Sequence, residues 1–252
     1  MRAIISDLHS NIEAIRAVLE DIAAQGIGTV LCLGDVVGYG ADPEEAIDLV
    51  EKKCRFCLSG NHDYAVLTEA EKFNAPAAEA IDFTRRVLKP NSLSLGRKKE
   101  RWRFLETLPT RVQEEDSLYV HGSPRDDRNE YILESDVVFG NFAKIREILD
   151  MTPRLLFVGH THVPGVIDRN CSYWYPDGDQ EEYLLAPDEK YIINVGSVGQ
   201  PRDGNNKASY VIVTGNAVHW RRVPYDIRLT MQKMVRVGPL SAESAERLEY
   251  GR

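Results

Sequence analysis

Residues 2–63 are RAIISDLHSNIEAIRAVLEDIAAQGIGTVLCLGDVVGYGADPEEAIDLVEKKCRFCLSGNHD, an alternation of short apolar runs and helical patterns. Apolar runs near residues 3–6, 30–33 and 56–59 are typical of buried strands. Between them, apolar residues recur at helical spacing over residues 12–22 and again after Pro43, a favoured first residue of a helix. Strand, helix, strand, helix, strand predicts parallel pairing, with helices that cover the sheet.

The remainder of the chain continues this alternation and then changes in texture. We expect helices over residues 64–108 and a hairpin over residues 110–121 that turns at Asp116-Ser117. Another helix is expected over residues 135–149 and a buried strand over residues 155–158. From residue 165 onward, short alternating strands predict a second, antiparallel sheet. Residues 226–252 are predicted as a peripheral helix or two with a polar tail. The expected architecture is a single α/β domain, residues 1–252, with two stacked sheets and outer helices.

The composition is that of a soluble globular protein with an acidic balance. The 252 residues include 31 Lys and Arg against 39 Asp and Glu, a formal charge of −8. This charge argues against an extended nucleic-acid surface or a membrane as the partner, because both need a basic footprint. No apolar run approaches the ~20 residues of a membrane span, and the first residues lack a signal-peptide pattern. We therefore expect a cytoplasmic protein.

Two of the four cysteines, Cys54 and Cys57, form a C-x-x-C that is open to two interpretations. They are either a redox pair or small, reduced hydrophobic residues. We interpret residues 54–58 as a strand, which places the two thiols on opposite faces, and no second C-x-x-C completes a zinc site. The second interpretation is therefore favoured, and it agrees with a reducing compartment.

Polar side chains follow five predicted strands at the points where the strands end. They are Asp7 and His9, then Asp35, then Asn61, His62 and Asp63, then His121, and finally His160 and His162. Ligands of open α/β sheets bind outside the carboxyl ends of the strands, so these turns are expected to meet at one edge. Five of the six histidines lie in these turns. Only His219 lies elsewhere, in a late predicted strand, where we expect a structural role.

The types and spacing of these residues predict a metal centre. Imidazole and carboxylate together suit divalent first-row ions such as zinc, iron and manganese. Asp7 and His9 are two residues apart, so in an extended chain their side chains point to the same side and can chelate one ion. His160 and His162 have the same spacing, so a single turn can serve two ions. Two ions would need a carboxylate that bridges them.

The order of these motifs resembles that of the calcineurin-like metallophosphoesterases, from residue 5 to about 225. The matching stretches are Asp7-x-His9, Gly34-Asp35-x-x-Gly38, Gly60-Asn61-His62-Asp63, His121-Gly122 and Gly159-His160-x-His162. The resemblance implies a four-layer αββα sandwich of two stacked mixed β-sheets flanked by helices. It further implies two divalent ions, with manganese expected and iron, zinc or nickel as alternatives. By the family pattern one ion is held by Asp7, His9, Asp35 and His162, and the other by Asp35, Asn61, His121 and His160.

The resemblance also implies how the catalytic residues act. A hydroxide that bridges the metals is the nucleophile of the family, His62 protonates the leaving oxygen and Asp63 holds His62. Because His62 follows Asn61, we expect it to stand over the second ion without ligating it. Asp63 has an alternative role as the cap of the following helix.

Three further residues are candidates for substrate binding. Asn11 lies where the first helix begins, so the free amides there could receive a phosphate, although capping alone would explain an Asn at this position. Tyr39 either lines the cleft or is exposed in a flexible glycine turn. Arg202 follows a Gly-Ser loop that resembles that of small bacterial and archaeal family members, and it either clamps a phosphate or carboxylate or forms a salt bridge.

Departures from the family pattern indicate the reaction. The protein serine/threonine phosphatases carry Gly-Asp-x-x-Asp-Arg-Gly, whereas residues 34–40 are GDVVGYG and lack the arginine. We therefore expect a phosphodiesterase that acts on small or nucleotide phosphodiesters. The alternatives are a phosphomonoesterase, including one that acts on phosphoproteins, a dinucleoside polyphosphate hydrolase, and a non-catalytic scaffold. The oligomeric state is left open.

Overall fold

The first sheet has three neighbouring parallel strands at one side, as the opening of the sequence predicts. The computed structural model describes residues 1–70, 73–94, 96–238, 240 and 242–252. In spatial order the strands are β3 (Phe56–Cys57), β2 (Val30–Cys32), β1 (Arg2–Ile5), β11 (Ala208–Thr214), β12 (Ala217–Val223) and β9 (Gln180–Leu184). β1 pairs in parallel with β2, and β2 with β3, while the other pairs are antiparallel.

The second sheet is also mixed, but its three parallel strands lie in the middle. In spatial order its strands are β4 (Arg111–Glu114), β5 (Ser117–Val120), β6 (Leu155–Val158), β10 (Tyr191–Asn194), β7 (Gly165–Asp168) and β8 (Tyr173–Trp174). β6 pairs in parallel with both β5 and β10. β4, β7 and β8 join antiparallel at the sides.

Helices cover the outer faces of both sheets. They are α1 (Ile12–Ala24), α2 (Pro43–Lys53), α3 (Asn61–Leu67), α4 (Ala75–Leu88), α5 (Arg97–Thr107), α6 (Glu134–Val138), α7 (Phe142–Met151), α8 (Ile227–Val237) and α9 (Ala242–Tyr250). In α1 the apolar residues recur at helical spacing and are buried. None of the described helices is both long enough and apolar enough to cross a membrane.

Three apolar clusters define the layers. The middle one lies between the sheets and joins Ile4 and Leu31 of the first to Phe157 of the second. An outer cluster packs α1 and α2 on the first sheet, and another packs α7 on the second, with Ile145 and Ile148 buried. The layers are therefore helix, sheet, sheet, helix, which confirms the αββα sandwich that the resemblance implied.

The structure corrects four details of the sequence interpretation. The strands after residue 165 do not form one antiparallel sheet, because β9, β11 and β12 complete the first sheet while β7, β8 and β10 complete the second. The predicted helix 135–149 is two helices, interrupted at Gly140, whose φ is +75°. The hairpin turns at residues 115–116, and Ser117 already belongs to β5. Residues 71, 72, 95, 239 and 241, which fall within predicted helical stretches, lie outside the described residues.

The fourth correction concerns Cys54. It is the residue at the C-terminal end of α2, and not part of a strand, while Cys57 lies in β3 beside Cys32 of β2. All four cysteines are free thiols. Burial raises the pKa of both Cys54 and Cys57 well above the usual value, which keeps the thiols neutral and unreactive. The interpretation as small hydrophobic residues therefore fits better than a redox pair.

Candidate metal centre

The carboxyl ends of the six parallel strands meet at one edge of the sandwich. Each strand is followed by a turn, and these turns carry Asp7 and His9 (β1), Asp35 (β2), Asn61 (β3), His121 (β5), His160 and His162 (β6) and Arg202 (β10). Three of the strands belong to the first sheet and three to the second. The residues that the sequence analysis singled out therefore lie together, at the boundary between the two sheets.

One group of possible ligands consists of Asp7, His9 and His162. His162 Nε2 lies 3.2 Å from Asp7 Oδ1 and 3.1 Å from His9 Nε2. Two nitrogens and a carboxylate oxygen at this separation can contact a single cation.

A second group consists of Asp35, His121 and His160. His121 Nε2 lies 3.4 Å from Asp35 Oδ2 and 3.2 Å from Asn61 Oδ1. Asp35 Oδ2 is also 3.8 Å from His9 Nε2 of the first group. Asp35 therefore lies between the two groups, the position that a bridging carboxylate requires.

The other ring nitrogens of these four histidines are all placed against backbone carbonyl oxygens. His9 Nδ1 faces Val37 O at 3.3 Å, His121 Nδ1 faces Leu33 O at 3.1 Å, His160 Nε2 faces Asn129 O at 3.1 Å and His162 Nδ1 faces Gln200 O at 2.6 Å. An imidazole that donates one N–H to a carbonyl presents the lone pair of its other nitrogen, and this is the usual arrangement of metal-binding histidines. The donor set therefore fits a divalent ion.

The charges at the centre also favour a cation. Asp7 and Asp35 are 0% and 1% exposed, and although burial opposes ionisation, neighbouring histidines hold both carboxyl pKa values well below the usual range. Burial lowers the pKa of His160 to about 3 and also lowers the pKa of His9 and His162. The pKa of His121 alone is raised, to about 9, because Asp35 outweighs the effect of burial. Among the candidate ligands, two buried carboxylates thus face one protonated imidazole, so the ligands themselves carry negative charge that a cation can neutralise.

His62 differs from the four other histidines in its hydrogen bonding. Its Nδ1 is buried without a hydrogen-bond partner among the described residues. Its ring lies against His9, with centroids 4.8 Å apart, and against Tyr39 at 4.7 Å. One nitrogen of His62 also lies within 4.8 Å of ligand atoms of both His9 and Asp35, so His62 stands beside the carboxylate between the two groups. Its predicted place over the second ion stays a prediction. Burial lowers its pKa to about 4, and the charge of Arg202 acts in the same direction while Asp35 opposes both.

Asp63 does not hold His62. Its carboxylate accepts hydrogen bonds from the backbone N–H groups of Val37, at 3.1 Å, and Gly60, at 3.0 Å. The capping alternative is therefore the better description, and Asp63 ties the turn after β2 to the start of α3. Burial and the charge of Asp35 raise the pKa of this carboxyl to about 7.

The two predicted cleft residues Tyr39 and Arg202 both line a cleft of about 330 Å³ beside the ligand groups. Two guanidinium nitrogens of Arg202 donate to Gln200 Oε1, at 2.7 and 3.3 Å, and its carbon lies 5.6 Å from the centroid of the Tyr39 ring. No carboxylate lies within salt-bridge distance of Arg202 in the described part of the chain. Its charge is therefore directed at the cleft.

Asn11 is not available to a substrate. Its side chain is 2% exposed and caps α1 by accepting from Ala14 N, while its amide donates to Gly199 O at 2.8 Å. Thr230 of α8 donates to the same Asn11 oxygen. The predicted substrate role is wrong because each polar atom of this side chain already has a partner in the fold.

The structure adds residues that sequence reasoning missed. Tyr131 stacks on His160 with ring centroids 3.9 Å apart, and Phe73 packs edge-on against His62 at 5.0 Å. Asn129 supplies the carbonyl that His160 faces, and Gln200 orients Arg202. The only feature of the sequence that could have indicated Asn129 and Tyr131 is that they follow His121 in the same loop. Phe73 lies in a bend before α4, within a stretch that the sequence predicted as helical and that carries no motif.

The comparisons with known proteins agree with this geometry. The family model of the calcineurin-like phosphoesterases matches residues 2–196, and the chain belongs to that family. The uncharacterised protein MJ0912 of Methanocaldococcus jannaschii is 38% identical over all of this chain and 98% of its own length. A crystal structure described as a metallophosphoesterase from Sphaerobacter thermophilus is 36% identical, with a TM-score of 0.83 over all of this chain and 98% of its own.

A more distant solved structure shares the fold. The hypothetical protein PH1004 from Pyrococcus horikoshii is 19% identical, with a TM-score of 0.69, and the match covers all of this chain and 99% of that one. Membership of the family supports a phosphoesterase with a divalent-metal site.

Proposed function

We propose that this protein is a phosphodiesterase that depends on two divalent ions and hydrolyses small or nucleotide phosphodiesters. The observation that carries the proposal is the pairing of four histidines with backbone carbonyls while a fifth, His62, lines the cleft without such a partner. The first four are arranged as ligands and the fifth as a group that can exchange a proton. Manganese is the ion we would test first, and iron, zinc and nickel are the alternatives.

Asp7, His9, Asp35 and His162 would hold one ion, and Asp35, Asn61, His121 and His160 the other. When bound, the two ions would supply a water of lowered pKa and offset the charge of the phosphate. The oxygen of a water that has lost one proton to solvent attacks phosphorus, the bond from phosphorus to the leaving oxygen breaks, and His62 donates a proton to that oxygen. The negative charge of a bound phosphate raises the pKa of a neighbouring imidazole, which favours the protonated form of His62.

Arg202 has the position of a phosphate clamp. Its guanidinium is fixed by Gln200 and by the face of Tyr39, so little rotational freedom is lost when it binds an oxygen of the substrate. A location in a reducing compartment such as the cytoplasm belongs to the same proposal, since the four thiols are free.

The role of His62 is tested by comparing two leaving groups. With manganese added, the wild type should cleave bis-p-nitrophenyl phosphate and the dinucleotide UpU. We expect His62→Gln to retain its metal and to lose roughly 10²–10⁴-fold in kcat for UpU, whose alkoxide needs a proton, but much less for p-nitrophenolate, which does not. His219→Gln, which changes a histidine that bonds Thr214 away from the site, is the control.

Three outcomes would contradict the proposal in different ways. Equal losses on both substrates would show that His62 is not the proton donor. Faster cleavage of p-nitrophenyl phosphate than of either diester would favour the monoesterase alternative. An absence of turnover with every metal would favour the scaffold.

A further inference from the structure

The cleft beside the ligand groups continues into a second cavity of about 570 Å³, which we call the side lobe. It is lined by Tyr64, Thr68, Glu69 and Arg128, and it shares Asn61, Phe73 and Asn129 with the cleft. A volume of this size is large enough for a nucleoside. Because Asn61 lies at the junction, a substrate held at the ligand groups can extend one of its arms directly into the side lobe.

Arg128 is held in the side lobe from two directions. Its guanidinium carbon lies 4.4 Å from the centroid of the Tyr64 ring, and its Nε donates to Ser59 Oγ at 3.2 Å. The opposite edge of the guanidinium, with its two terminal nitrogens, has no hydrogen-bond partner in the described part of the chain. Glu69 lines the same lobe, yet it makes no ion pair with Arg128 within 4 Å.

This arrangement resembles that of Arg202, which is likewise fixed by a tyrosine face and a polar side chain. The two arginines differ in their distance from the centre. Arg202 lines the cleft together with His62 and His162, whereas Arg128 lines only the side lobe. Arg202 is therefore placed for the scissile phosphate, and Arg128 for an anion further out.

We propose that the side lobe binds a nucleotide arm of the substrate, with Arg128 holding a second phosphate at the end of that arm. A planar guanidinium with a free edge matches the two oxygens of a phosphate. The exposed ring of Tyr64 and the half-buried ring of Phe73, which both line the lobe, suit a nucleoside between the two phosphates. This proposal rests on the proposed function, and it narrows the substrate to phosphodiesters that carry a further phosphate one nucleoside away.

Binding and hydrolysis are measured separately, so that the two proposals can fail independently. Calorimetry of the manganese-loaded protein compares uridine 3′,5′-bisphosphate with uridine 5′-monophosphate. We expect the bisphosphate to bind at least about tenfold more tightly, as one added charge-assisted contact would provide. Arg128→Gln should abolish that difference and leave the affinity for the monophosphate unchanged.

The matched control is Arg103→Gln, which removes an exposed arginine of α5 that makes no ion pair with a described residue. It should keep the preference for the bisphosphate. Tyr64→Leu, which removes the ring beneath the guanidinium, should reduce the preference only in part. Thermal unfolding of each variant checks that the fold is intact.

Hydrolysis of pUpU and UpU then connects the site to the reaction. We expect wild-type kcat/KM to be about tenfold higher for pUpU, or for its isomer UpUp, than for UpU. The isomer that is preferred then identifies which arm occupies the lobe. Equal affinities for the bisphosphate and monophosphate in the wild type would overturn the side-lobe proposal while leaving the phosphodiesterase intact. Selective binding that Arg128→Gln abolishes, without hydrolysis of any diester, would support the lobe and refute the proposed function.

Discussion

At the scale of single residues, the site is built on backbone conformations that residues other than glycine rarely adopt. Seven residues in the turns that carry it have positive φ: Asp7, His9, Ser10, Asp35, Tyr39, His160 and His162. Each such residue costs of order 1–3 kcal/mol, and such costs concentrate where function requires them. Five of the seven are predicted metal ligands. The strain therefore sets the directions of the ligands, at the expense of stability.

Close backbone approach is the second requirement at this scale, and it yields a test at Gly159. A β-carbon there would collide with Ser6 Oγ and would come within 2.5 Å of Asp7 Oδ2. We expect Gly159→Ala to lower the free energy of unfolding by roughly 1–3 kcal/mol and to weaken metal binding, because Asp7 must shift. Urea denaturation and metal content measure the two effects.

The matched control is Gly28→Ala. Gly28 has open space around its Cα and a negative φ, so the change should be neutral or slightly stabilising. If both substitutions had the same effect, the crowding around Asp7 would not be a constraint on the site.

At the scale of helices and strands, some features could be predicted from sequence and others could not. The parallel strands β1, β2 and β3 were predictable because each is a short apolar run followed by a helical period. The allocation of the later strands to two sheets was not, since alternation indicates a half-buried strand but not its neighbour.

The same limit applies to individual polar side chains. Asn11 and Asp63 cap helices, although each stands where a ligand or a proton relay was equally consistent with the sequence. Asn and Asp serve both purposes with the same atoms. The metal-ligand candidates were easier to predict, because histidines that recur after consecutive strands have no comparable structural role.

Asp21 connects α1 to the first sheet and gives a prediction about pH. Its carboxylate accepts from Arg221 Nε at 2.7 Å and from Tyr210 Oη at 2.6 Å, on strands β12 and β11. The Arg221 hydrogen bonds hold the pKa of Asp21 below 3.8, although burial opposes them. A carboxyl whose pKa is depressed by folding stabilises the protein above its unfolded pKa and loses that effect as the pH falls through its folded pKa.

We therefore expect Asp21→Asn to lower the free energy of unfolding by about 1–2 kcal/mol at pH 7, a value between those of exposed and buried ion pairs. The difference from the wild type should shrink as the pH falls below 3.8, because the wild-type carboxyl then becomes neutral too. Urea denaturation over a pH series measures this. Glu20→Gln, at an exposed position beside Asp21, should show no such trend, and a constant cost across the series would refute the assignment.

At the scale of the whole molecule, the candidate ligands come from both sheets. Asp7, His9 and Asp35 follow strands of the first sheet, while His121 and His162 follow strands of the second. Each ligand group therefore contains residues from both. An ion in either group would act as a cross-link between the two layers, at the edge where the apolar cluster between the sheets ends.

This arrangement predicts that metal removal destabilises the whole sandwich. An ion that binds the folded chain but not the unfolded one stabilises it by ~2.7 kcal/mol at a hundred times its Kd, and a domain of this size shifts by about 2–4 °C per kcal/mol. Chelation should therefore lower the thermal midpoint by roughly 5–10 °C, and manganese should restore it.

Two variants serve as comparisons. The thermal midpoint of Asp35→Asn, which removes the carboxylate between the two groups, should change much less on chelation, whereas that of His219→Gln should change as much as in the wild type. Hydrogen exchange should locate the loss of protection in both β1 and β6, because the cross-link joins the two sheets. A loss confined to one sheet would show that the ions are not shared between them, and an unchanged midpoint in a chain verified to be free of metal would rule out the centre as a support of the fold.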